Sequence, residues 1–172
     1  MVRPVRILID GPSGSGKTTL ANTYKDEGFL VLHMDDWYPG WDGLDAASRI
    51  AEQLLSGELE AYPRWDWVNN RVAEWVPVDP NRHWVLEGCG AITKVSASLA
   101  DQRIWLEMEP QEARRRGLAR DGDTFLPWWQ MWNEQEQVHW ERNRPQELAD
   151  VVLDGHELRR PDLPPRPGPA LN

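Results

Sequence analysis

The stretch ILIDGPSGSGKTTLA, residues 7–21, constrains the fold of this chain more than any other. Ile7, Leu8 and Ile9 form a short apolar run suited to a buried parallel strand, and Lys17, Thr18 and Thr19 open a helix. Between them, Gly11, Gly16, Lys17 and Thr18 fill the template G-x-x-x-x-G-K-[ST] in the strand–loop–helix context that the template demands. Gly11, Gly14 and Gly16 let the backbone bend until successive N–H groups, those of Ser13 and Ser15 included, point into one concavity. With a helix N-terminus behind it, that concavity is an anion site of phosphate shape. Lys17 adds a point charge for the outer phosphates, and the Thr18 hydroxyl is a ligand for Mg²⁺.

The remaining sequence alternates strands with helices. Strands are predicted at 5–9, 29–33, 83–88, 103–108 and 150–154, and helices at 45–58, 110–120 and 127–143. Each of the last two helices has a proline in its first turn. Such alternation predicts an α/β fold: a three-layer sandwich around a parallel sheet of about five strands. The domain is expected to span 1–158. Residues 159–172 are proline-rich and are expected to form a tail rather than a packed element.

In an open parallel sheet, ligands sit beyond the carboxyl ends of the strands, so the residues there matter most. Asp35 and Asp36 follow the second predicted strand, Glu87 ends the third, and Arg114, Arg115, Arg116 and Arg120 follow the fourth. Phosphoryl transfer needs a base for the incoming hydroxyl, a carboxylate near Mg²⁺ and cations over the migrating group. All three residue types lie on the expected edge. Taken singly, each has a plainer reading: paired aspartates as a turn, Glu87 as a strand end, and arginines as a solvated helix face. Arg116 and Arg120 are four apart and share one helix face, while Asp121 is placed to orient Arg120.

Taken together, these segments resemble the P-loop nucleoside kinases, the uridine kinase-like group in particular. The resemblance rests on Gly11–Thr18, DDWY (35–38), RWDW (64–67), LEG (86–88) and RRRGLARDG (114–122), in order over residues 5–154. It implies Asp35 as the general base for the acceptor hydroxyl and Asp66 as the aspartate that holds the sugar. Glu87 would be the carboxylate near magnesium, and the region 114–127 an arginine-bearing lid. Asp36 and Tyr38 would line the acceptor site, and Trp37, Trp41, Trp65 and Trp67 lie on segments that should face it, where a flat ring can stack on a base or sugar. Two departures concern the acceptor. DWVNNR follows Trp65 where the family usually has a proline within two residues of the aspartate, and 172 residues leave less room for a nucleoside-gripping hairpin.

Composition limits the alternatives. A formal net charge of −9 without a basic stripe argues against a nucleic acid polymer as partner. One cysteine, Cys89, permits no intramolecular disulfide and fits a reducing compartment. With no stretch suited to a signal peptide or a membrane span, a soluble cytoplasmic protein is the expectation. No D-x-x-G or N-K-x-D occurs, against a switch GTPase. The expected activity is transfer of the γ-phosphoryl of ATP, with Mg²⁺, to a hydroxyl of a small nucleoside-like acceptor. A nucleotide or other hydroxylated metabolite as acceptor, and an ATP-binding module without turnover, are the alternatives.

Overall fold

The computed structural model describes residues 3–164. Its core is a five-stranded parallel sheet, with strands in chain order β1 (Arg6–Asp10), β2 (Leu30–His33), β5 (Trp84–Glu87), β6 (Gln102–Glu107) and β7 (Val151–Asp154). They lie side by side in the order β2-β5-β1-β6-β7, with Leu8 level with Leu86 on one side and with Arg103 on the other. The most apolar strand is therefore central, and Ile7, Leu8 and Ile9 have no exposure to solvent. Each predicted strand is present, its ends displaced by a residue or so.

Alternate side chains of β1 feed two cores, as the two-residue period of a strand requires. Ile7 and Ile9 pack with Leu20, Ala21 and Tyr24 around helix α1 (Lys17–Asn22). On the other face Leu8 joins Leu44, Ala47, Ala51 and Leu54 from helix α2 (Leu44–Ser56). Helix α3 (Lys94–Leu99) and helix α5 (Trp129–Asn143) also cover that face, with Ala97 and Trp132 in the same core. Sheet and two helical layers form the expected sandwich. Helix α4 (Pro110–Asp121) follows β6, and the short helix α6 (Pro145–Leu148) leads into β7.

Pro127 lies not in α5 but in a 3₁₀ turn, Leu126–Trp128, that precedes it. Between α2 and β5 the chain forms a hairpin. Strands β3 (Ala61–Asp66) and β4 (Arg71–Pro77) pair antiparallel as a separate two-stranded sheet. Asn70, at φ 53, makes the turn between them, a left-handed conformation that asparagine tolerates better than most residues. Residues 159–164 of the expected tail have no regular structure, yet they are anchored. The Arg160 guanidinium lies 4.9 Å from the centre of the Tyr24 ring and pairs with Glu27, and Gln102 Nε2 donates to the Asp162 carbonyl at 3.0 Å. The rest of that tail is outside the described residues. No helix among the described residues is long and apolar enough to cross a membrane.

Candidate active site

At the carboxyl edge of the sheet the glycine loop bends between β1 and α1 and borders a cavity of about 890 Å³. Gly14 (φ +82) and Gly16 (φ +101) adopt left-handed backbone there, which glycine alone enters freely. Among the described residues the N–H groups of Gly14, Gly16 and Lys17 have no acceptor, and they suit an anion. The Lys17 ammonium folds back on the loop, donating to the Pro12 carbonyl at 2.8 Å. Burial works against its charge, but the surrounding acidic groups, Glu87, Glu136 and Asp10 among them, outweigh it and raise its pKa. Lys17 therefore stays an ammonium.

Ser13, Gly14, Gly16, Lys17, Thr18 and Thr19 line one wall of the cavity. Gly11 and Ser15 are buried within the loop itself, and the Ser15 hydroxyl has no partner among the described residues. The strand that ends at Glu87 brings its carboxylate to the Thr18 hydroxyl, which donates to Oε1 at 3.0 Å. His33 Nδ1, at the end of β2, is 2.7 Å from the same oxygen. That bond to Glu87 is the main cause of a raised His33 pKa. A hydroxyl and a carboxylate so close together are the hard oxygen donors that Mg²⁺ takes, with phosphate and water completing its shell.

Opposite the loop stands Asp35, in a short 3₁₀ turn, Met34–Asp36, directly after β2. Its side chain is open to the cavity yet flanked by the walls. Desolvation by those walls, with the charge of Glu87, pushes its carboxyl above the ordinary value, against the pull of Arg120 and Lys17. Asp36 is not on the cavity wall: its charged and polar neighbours are His33, Glu87, Arg64 and Tyr62. Trp37 belongs to the core, where its indole donates to the Ala47 carbonyl at 3.1 Å. Tyr38 is buried beside the cavity and donates to the Cys89 carbonyl at 2.8 Å.

The hairpin contributes Trp67, not Trp65 or Asp66. Trp67 lines the cavity and its indole reaches the Asp35 carbonyl at 3.3 Å. Asp66 closes the hairpin turn, accepting from the N–H groups of Val68 and Asn69 at 3.0 and 3.1 Å. Trp65 is half-buried, its indole N–H without a partner among the described residues. Asp36, Trp37, Trp65 and Asp66 are thus close to the site in sequence but off the cavity wall. Trp41, on one of the segments expected to face the acceptor, does line the cavity, as Trp67 does. Its ring stacks 5.4 Å from Phe125 and 6.3 Å from Trp128, and lies 5.1 Å from Trp67.

Arg116 and Arg120 both reach the cavity from α4, each already paired. Arg116 donates to Glu112 at 3.0 Å and to the Gly155 carbonyl at 3.3 Å, whereas Arg120 pairs with Asp121 at 2.9 Å. Beneath the loop are three buried groups that the sequence reading passed over: Asp10, Glu136 and His139.

No protein-family model matches the sequence, and no curated protein does. Solved structures do match. A structure from Bacillus stearothermophilus, described as a possible uridine kinase, aligns at 22% identity with a TM-score of 0.59, over 90% of each chain. The fold is that of the P-loop kinases. Shikimate kinase from Bacteroides thetaiotaomicron aligns at 16% identity and a TM-score of 0.51, over 91% of this chain and 89% of that one. At about nine-tenths of each chain, the similarity is not confined to the glycine loop.

Proposed function

We propose that this chain is an ATP-dependent kinase that transfers the γ-phosphoryl group to a hydroxyl of a small, nucleoside-like acceptor. One observation carries the reading: a free carboxylate, Asp35, faces the glycine loop, Lys17 and the Thr18–Glu87 pair across a single cavity. Bound Mg-ATP supplies the phosphoryl group and the divalent charge, held by the loop N–H groups, Thr18 and Glu87. Lys17 and Arg120, both on the cavity wall, offer positive charge where negative charge accumulates on the migrating group. Asp35 accepts the proton of the acceptor hydroxyl as the new O–P bond forms. The similarity to solved kinases supports a kinase in general, and the acceptor class rests on the wall opposite the loop.

That wall consists of Trp41, Trp67, Phe125 and Trp132, with Tyr38 behind. Large flat rings suit a flat acceptor ring, through offset or edge contacts. The test is release of ADP from Mg-ATP across a panel of nucleosides, nucleotides, sugars and sugar acids. Acceptor-dependent release with a nucleoside-like compound is the expected result. Release that does not depend on any acceptor would replace the kinase with a hydrolase, and no release at all would favour the binding module without turnover.

A further inference from the structure

The phosphate loop is held from behind by one face of α5, and the groups that hold it have no part in the reading above. Glu136, His139 and Asn143 are spaced by three and four residues, so they share that face. Glu136 is only 4% exposed, and its Oε1 accepts from the backbone N–H of Ser13 at 3.1 Å. The same oxygen faces the Cys89 thiol at 3.6 Å. Contrary to the expectation from the sequence, the Ser13 N–H is thus engaged by the helix rather than left free for an anion.

One turn later, His139 Nε2 lies 2.9 Å from Asp10 Oδ2. The Asn143 amide donates to His139 Nδ1 at 3.1 Å while its oxygen accepts from Lys94 N–H. This leaves Nε2 as the ring's donor, toward Asp10. Asp10 is fully buried at the end of β1, and its other oxygen accepts from the N–H of Gly11 at 2.7 Å and of Gly90 at 3.2 Å. The first and third residues of the loop are thereby fixed, one through Asp10 and one directly, by side chains of a single helix. Buried polar groups with every partner in place hold one geometry firmly, and loss of one partner strands the other.

We propose that Glu136 and His139 are positioning residues of the phosphate loop, setting from α5 which loop N–H groups face the nucleotide. The inference rests on the loop being a nucleotide site, so the readout is binding of Mg-ADP rather than turnover. Calorimetry of Mg-ADP binding to folded Glu136→Leu and His139→Leu proteins should show affinity reduced by roughly tenfold or more, since the first strands the Ser13 N–H and the second leaves Asp10 Oδ2 with the Ile92 N–H alone in place of two donors. Glu136→Gln and His139→Gln keep an acceptor for Ser13 and a donor for Asp10, and should recover binding to within about threefold of the parent. Parent-like affinity in the leucine variants, or glutamine variants as weak as the leucine ones, overturns the proposal. Should neither leucine variant fold, the glutamine pair decides: binding weaker than about threefold below the parent is also an overturning result. Failure of the parent protein itself to bind Mg-ADP would instead remove the nucleotide reading on which this stands.

Discussion

At Asp35 the carboxyl opens onto the cavity, whereas Asp36, one residue on, lies off its wall among His33, Glu87, Arg64 and Tyr62. A general base contributes on the order of 10²- to 10⁴-fold to a proton-transfer step. Asp35→Asn should therefore lower kcat by that order with Mg-ADP still bound, and Asp36→Asn by only a few-fold, as measured by steady-state ADP release. The pH profile carries a second expectation. A base works deprotonated, and burial with the charge of Glu87 raises the pKa of Asp35, so kcat/KM should fall as pH drops through a value above the ordinary carboxylate of about 4. Arg120 pulls that pKa down. Arg120→Ala should move the acid limb further up, a shift visible in the pH dependence of kcat/KM.

Among the elements, α4 lies directly on the phosphate loop. A Cβ at Gly14 would stand 2.3 Å from the Ala113 carbonyl oxygen and 3.1 Å from the Gly117 nitrogen, both backbone atoms that cannot rotate away. Gly57, at the end of α2, has almost the same φ of +81 and open space around it. Alanine at either site costs roughly 1–2 kcal/mol for the left-handed backbone. Gly57→Ala should show that loss alone, by denaturant unfolding, with Mg-ADP affinity unchanged. Gly14→Ala should lose more stability and weaken Mg-ADP on the order of tenfold, because α4 must lift from the loop. The sheet and its long helices were legible because their signals are local: an apolar run for a buried strand, a proline in the first turn of α4. The hairpin was less so, since Pro63 interrupts its first strand and a register shift between Pro63 and Trp65 breaks the alternation. Asn69-Asn70 was the available turn signal. The glycine loop was readable because its residues are contiguous. Asp10 and His139, by contrast, meet across 129 positions, and no spacing in the sequence announces such a pair.

For the molecule as a whole, both cores converge on β1, so a ligand held at the end of that strand stabilises the entire domain. Binding to the folded chain alone adds about 2.7 kcal/mol at a ligand concentration a hundred times Kd. In a domain of this size that should raise Tm by roughly 5–11 °C, read by thermal unfolding with saturating Mg-ADP against buffer with magnesium only. An unmoved Tm would speak against nucleotide at this site. Trp41 joins these scales, since it touches the hairpin through Trp67, the segment after α4 through Phe125 and Trp128, and α5 through Trp132. Indoles packed this closely exchange excitation energy, and their near-ultraviolet circular dichroism depends on the angles between them. A motion that parts the hairpin from the segment after α4 should therefore shift the tryptophan emission and alter the near-ultraviolet circular dichroism. The chain thus carries a built-in optical gauge of its own cavity, with no label attached.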